Sequence, residues 1–179
     1  MEFINIIPGC IHIKNALSEN EQIELVKMSK SWIENLLPSS KTRNRVYDAI
    51  NKFSNSEYLL NICKLLLTKA KELDKHIIVD DPTHLLFLQY TTKKGMGFHK
   101  DDGSNDGSGL NPVVSISIGN SCIFSIIRPD NGLQIDVTLN SGDVIIFGGP
   151  SRFMSHSVSN VIMNCPTYLT SHIGKVRLN

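Results

Sequence analysis

The hydrophobic period of this chain changes near residue 80, and that change constrains the fold more than any other feature. Before it, apolar residues recur at helical spacing. Ile23, Val26, Ile33 and Leu36 follow a capping-box start of Ser18 with Glu21, in a run that continues to Pro38. A second start, Ser54 with Glu57, opens a stripe of Leu59, Ile62, Cys63, Leu66, Ala70 and Leu73. Between the two, KTRNRVYDAINKFSN is polar and basic and is expected as a surface loop or short-strand region. From residue 84 onward the period drops to two, or the runs become short and β-branched between Gly, Pro, Asn and Asp. HLLFLQY, PVVSISIG, CIFSIIR, LQIDVTL and DVIIF read as strands, and Leu133, Ile135, Val137 and Leu139 alternate strictly with polar residues. Turns are expected at Asn131-Gly132 and Ser141-Gly142, with a wider loop through DDGSNDGSGLNP. Helices followed by many short strands predict an α+β chain, mainly β, with the helices packed outside a β-sandwich or jelly roll.

A length of 179 residues suits one domain. The 18 Lys and Arg residues against 17 Asp and Glu leave a formal charge of +1, so no global field draws the protein to a polyanion, and any nucleic-acid contact must be local. No apolar run approaches the roughly 20 residues that span a bilayer. The start, MEFINIIPGC, lacks the basic region and long apolar stretch of a secretory signal, so an intracellular protein is expected. Cys10, Cys63, Cys122 and Cys165 lie far apart with no Cys-x-x-Cys pair, which fits reduced, buried thiols better than a zinc knuckle or a disulfide framework.

The segment GFHKDDGSNDG carries the chemistry. His99 and Asp101 are two apart on or just after a strand, and period two sends both side chains to one face, where a metal could bridge them. In isolation the pair reads equally well as a strand histidine and a loop-opening aspartate. His156 changes the balance: it follows 57 residues later, after a buried strand and a Gly-Gly turn that can fold back beside the first. Two imidazoles and one carboxylate form the facial triad of non-haem Fe(II) oxygenases, which leaves positions open for oxidant and cosubstrate. Zinc hydrolysis is the rival use of these ligands, but it gives no role to a buried cation. Oxygen activation needs electrons, and without a flavin or haem signature they must come from an organic anion. Arg177, in VRLN, has a planar fork suited to a dicarboxylate, although taken by itself it reads more readily as a terminal arginine exposed to solvent.

In order and spacing, LQYTTKKGMGFHKDDG, PVVSISIGNSCIF, LNSGDVIIFGGPSRFMSH and KVRLN closely resemble the AlkB family of Fe(II)- and 2-oxoglutarate-dependent dioxygenases, over roughly residues 84–179. The resemblance implies a double-stranded β-helix in which His99, Asp101 and His156 bind Fe(II), and Arg177 pairs with the far carboxylate of 2-oxoglutarate. Tyr90 and Asn179 would hydrogen-bond to that cosubstrate. It implies one domain, with residues 1–83 supplying N-terminal helices and a nucleotide-recognition lid and residues 84–179 the catalytic core. Two departures stand out. Leu88 occupies a place where many members have an Asn, and the family pattern runs past Arg-x-Asn into a short strand with a second arginine, so the core is expected without that last strand.

The activity implied is oxidative demethylation of a nucleobase, as in DNA repair: O2 and 2-oxoglutarate are consumed, succinate forms, and the methyl group leaves as formaldehyde. The partner would be methylated DNA or RNA, single-stranded or with a flipped base, because the reacting atom must be reached outside the stack; no membrane or protein partner is evident. Lys41, Arg43 and Arg45 form the only tight basic cluster, with Tyr47 beside it, and are candidates for gripping phosphate and stacking a base. A solvated basic turn reads the same way. Arg152, four residues before His156, matches a family arginine and reads equally as a candidate for shaping the substrate site and as a structural hydrogen-bond donor. Alternatives left open are an AlkB-like oxygenase acting on a protein or lipid, and a non-catalytic jelly-roll relative.

Overall fold

The computed structural model describes residues 1–101 and 110–179, so most of the expected loop through 101–112 lies outside the described residues. In chain order the elements are β1 (Glu2–Ile7), β2 (Cys10–Lys14), α1 (Glu19–Met28), α2 (Lys30–Ile33), β3 (Leu37–Ser40), β4 (Arg43–Ala49) and α3 (Ser56–Leu73). They continue with β5 (His84–Tyr90), β6 (Lys94–His99), β7 (Val113–Ile116), β8 (Ile118–Gly119), β9 (Ser121–Ile127) and β10 (Gln134–Leu139). β11 (Val144–Phe147), β12 (His156–Ile162), α4 (Thr167–Ile173) and β13 (Arg177–Leu178) complete them.

The strands form three antiparallel ladders, β1-β2-β11-β7, β3-β4-β5-β13-β8 and β10-β9-β12-β6. The first two supply one wall of a jelly roll and the third the other. One core cluster lies between the walls and draws on Tyr90, Phe124, Ile126, Ile145, Phe147 and Val158. A second lies under the helices, where Leu66, Leu67 and Ala70 of α3 meet Ile11, Ile13 and Ile146. Among the described residues no helix is long and apolar enough to cross a membrane.

The expected capping box of α1 forms: Ser18 Oγ accepts from the Glu21 amide at 3.3 Å, and the Glu21 carboxylate accepts from the Ser18 amide at 2.7 Å. The helix does not run on to Pro38. Ser29 ends it, its hydroxyl donating to the Val26 carbonyl at 3.0 Å, and a single further turn, α2, follows. The second expected box does not form. The Ser54 carbonyl accepts from Trp32 Nε1 at 3.1 Å and its hydroxyl pairs with Ser31, while Asn55, in the left-handed region at φ 59°, caps α3. Tertiary bonds to Trp32, itself edge-on to Phe53 and Phe87, outcompete the local cap. Leu73, expected on the apolar stripe, is exposed at the end of the helix.

The boundary expected near residue 84 is not a structural one. β2 sits in mid-sheet between β1 and β11, with Cys10, Ile11 and Ile13 fully buried, and β3 and β4 form a hairpin on the edge of β5. The first 83 residues therefore supply four strands as well as helices. The four cysteines are free; burial pushes the Cys10 and Cys63 thiols up to about 12, which leaves them unreactive.

β13 is flanked on both sides, with Arg177 opposite Tyr90 of β5 and Gly119 of β8, and the amide and carbonyl of Leu88 bonded to Asn179. Past that point β5 and β7 run on with no described strand between them. All four residues of β7 are partly exposed, although the neighbouring β11 is wholly buried.

Candidate metal and cosubstrate site

Glycine places the first ligand. β6 reads KGMGFH, a poor strand by composition, yet it pairs with β12 because Gly95 lets the backbones close: a Cβ there would fall inside the Val158 carbonyl. The register then sets His99 directly opposite His156, with a bulge following His156. Their ring centroids are 4.3 Å apart. Asp101 lies two residues past the end of the strand, and its carboxylate oxygens stand 3.5 Å from His99 Nε2 and 3.7 Å from His156 Nε2. One ligand atom from each of the three residues lies within 4.8 Å of the other two.

The tautomers are set by the backbone. His99 Nδ1 donates to the Gly97 carbonyl at 3.0 Å, and His156 Nδ1 donates to the Met154 carbonyl at 3.1 Å. Both Nε2 lone pairs then face Asp101, as ligation requires. The Asp101 carboxylate beside it raises the His99 pKa above the ordinary 6.5. Burial between Phe124 and Phe147 lowers that of His156. For Asp101, burial alone would raise the pKa, but the two imidazoles and Arg152 outweigh it and hold the carboxyl below its usual range.

Beside the triad opens a cavity of about 450 Å³ whose wall includes Tyr90, Leu88 and Asn179. Arg177 sits behind that wall, fully buried. One terminal nitrogen donates to Ser117 Oγ and Asn179 Oδ1, both at 2.9 Å, and the other to the Asn120 carbonyl at 3.3 Å. Its Nε has no partner, and no carboxylate pairs with it among the described residues. A buried guanidinium without an anion is costly, so the arrangement suits a diacid that brings its own charge. Tyr90, with its hydroxyl pushed up to about 12 by burial, remains a neutral donor beside it. The residues present thus suit both groups: His99, Asp101 and His156 would hold Fe(II), and Arg177, Tyr90 and Asn179 the cosubstrate.

The basic cluster divides. Arg45 and Tyr47, on β4, line the cavity, and Tyr47 stacks on His84 at 5.5 Å. Arg43 points inward to the Gly95 carbonyl at 3.3 Å and lies 5.9 Å from the Tyr90 ring, so it joins the two walls. Lys41 stays exposed at the β3–β4 turn. Arg152 is buried, with Nε and a terminal nitrogen donating to the Asn111 and Asp101 carbonyls.

Sequence reasoning missed Ser115, Ser117 and Asn120, which hold Arg177 and Asn179 in place. The signal was there: in SISIG, Ser115 and Ser117 alternate with Ile116 and Ile118, a period-two pattern that sends both serines to one face.

A family model described as the 2OG-Fe(II) oxygenase superfamily matches residues 27–179. An Arabidopsis thaliana protein named DNA N(6)-methyladenine demethylase ALKBH1D is 40% identical over 112 residues, covering 60% of this chain and 25% of the relative. The human protein named nucleic acid dioxygenase ALKBH1 is 35% identical over 80 residues, 42% of this chain and 19% of that protein. The chain thus spans a quarter or less of the length of these curated relatives. The solved structure of OsALKBH1 superposes with a TM-score of 0.81 at 23% identity, covering 99% of this chain and 97% of that one. A Pseudomonas putida prolyl-4-hydroxylase superposes at 0.60 with 16% identity, over 95% and 88% of the two chains. Both likenesses bear on the jelly roll alone. Fe(II) and 2-oxoglutarate, with O2, are the cofactors of the matched family. With that match extending over most of its length, the chain belongs to the 2OG-Fe(II) oxygenase superfamily.

Proposed function

We propose that this chain catalyses Fe(II)- and 2-oxoglutarate-dependent oxidative demethylation of a nucleobase in DNA or RNA. The observation that carries the reading is the pairing of a His-Asp-His cluster within 4.8 Å with a fully buried arginine that has no anionic partner among the described residues. When bound, the iron and its diacid supply the oxidising chemistry. The chain's own residues do the rest. Phe124 and Phe147 pack on His156 and keep bulk water from that side of the metal site. Tyr90 and Asn179 orient the cosubstrate, and Arg177 supplies its counter-charge. Arg45 and Tyr47 on the cavity wall offer a cation and a flat ring to an extruded nucleotide, so the substrate is single-stranded or carries a flipped base. The names of the curated relatives support a nucleic-acid substrate and make N6-methyladenine the first to try. We place the protein inside the cell.

The test is incubation with Fe(II), 2-oxoglutarate and single-stranded oligonucleotides carrying N6-methyladenine, 1-methyladenine or 3-methylcytosine. Formaldehyde and an oligonucleotide lighter by one methylene are expected for at least one of them. Protein that binds metal and 2-oxoglutarate yet yields neither product from any of the three overturns the reading.

A further inference from the structure

Arg152 is buried at 4% exposure and no carboxylate pairs with it among the described residues. Its Nε donates to the Asn111 carbonyl and one terminal nitrogen to the Asp101 carbonyl, both at 2.6 Å, while the guanidinium carbon lies 5.0 Å from the Phe153 ring. Two short bonds from one rigid plane tie together backbone positions ten residues apart. One of them belongs to the carboxylate of the triad.

The platform from which Arg152 reaches is itself fixed. It follows a single 3₁₀ turn, Gly149–Ser151, after β11. Ser151 Oγ donates to the Pro8 carbonyl at 2.8 Å, and the Gly148 amide to the Gly9 carbonyl at 2.8 Å. The Gly9 amide in turn donates to the buried Asp74 carboxylate at 2.6 Å. The β1–β2 turn thus sets the 3₁₀ turn, the turn sets Arg152, and Arg152 sets the backbone of Asp101. His99 and His156 need no such device, since strand register already holds them.

We propose that Arg152 is the positioning residue for the metal-binding carboxylate: it clamps the Asp101 and Asn111 carbonyls, so that the one ligand lying off the strands is as pre-set as the two lying on them. The proposal rests on the triad being the metal site. It assigns Arg152 to the support of a ligand rather than to contact with substrate.

Titration of the full chain with Mn(II), a redox-inert substitute for iron, tests it without any turnover. Arg152→Lys keeps the charge but cannot bridge both carbonyls, and Arg152→Gln loses the charge as well. Both are expected to bind Mn(II) about 10- to 100-fold more weakly than wild type, the usual effect of removing a group that orients a ligand. At saturating Mn(II) the electron paramagnetic resonance of Arg152→Lys is expected to broaden, a change that a loss of general stability would not give. Wild-type affinity and spectrum in Arg152→Lys overturn the clamp, whatever the Gln variant does, because the charge alone would then suffice. Should the Gln variant fail to fold, the Lys titration decides. A wild-type chain that binds no Mn(II) overturns the triad itself, and with it this assignment, whereas tight wild-type binding shared by both variants overturns only the assignment.

Discussion

His99 and His156 are register partners across β6 and β12, and their ring centroids stand 4.3 Å apart. That backbone pairing brings two of the three candidate metal ligands together with no help from loops.

The pairing depends on Gly95. A side chain there would enter the Val158 carbonyl and force β6 away from β12. Gly95→Ala is expected to lower stability by about 2 kcal/mol or more, as strain in a packed site does, and to abolish Mn(II) binding. Gly97→Ala, where a Cβ meets no atom within 4 Å, is the control and is expected to retain binding. Thermal melts and a metal titration on both variants check this.

Protons compete with the metal unequally at the three ligands. His99 has its pKa raised and His156 lowered from 6.5, and Asp101 is lowered from 3.8. As pH falls toward 6.5, His99 is therefore protonated first in the metal-free protein, while His156 is still neutral and Asp101 still ionised. Metal binding near pH 7 should release no more than about one proton, from His99, and affinity should fall as pH drops through the His99 range. Proton release measured with an indicator in weak buffer tests the order, and release of about two protons at pH 7 contradicts it.

Arg177 should act on the diacid and not on the metal. Arg177→Met removes a buried cation that has no anion among the described residues, so the ligand-free protein is expected to lose little stability. The same change should weaken 2-oxoglutarate binding about 100-fold, or about 2.7 kcal/mol, with Mn(II) affinity unchanged. A 2-oxoglutarate-induced rise in melting temperature that survives in the variant would show that the diacid binds elsewhere.

Much of the core and the triad could be read from the sequence, for a physical reason. HLLFLQY, CIFSIIR, LQIDVTL and DVIIF are strongly patterned, and all four are strands within a residue or so of the expected bounds. The three residues that cluster stood out because His-x-Asp on a strand end has few other uses once a second histidine and an arginine follow. What escaped was set by tertiary contact. β6 is held by backbone proximity that Gly95 permits, not by propensity. Short strands are among the forms expected for KTRNRVYDA, most of the β3–β4 hairpin; what escaped is its place at a sheet edge by the cavity, which accounts for its polarity. The N-terminal hairpin has short strands broken by Pro8-Gly9, and only the receiving edge of β11 explains its burial.

β2 binds the two ends of the chain's history together. The His12 ring meets the Asp143 carboxylate across 131 residues of sequence, in a sheet where residues 10–13 pair with 144–147. β2 thus waits for the 131 residues that separate His12 from Asp143 before β11 exists on its other side. Pairings of such long range make folding slow, and a nascent chain must keep Cys10, Ile11 and Ile13 from other partners until β11 has been synthesised.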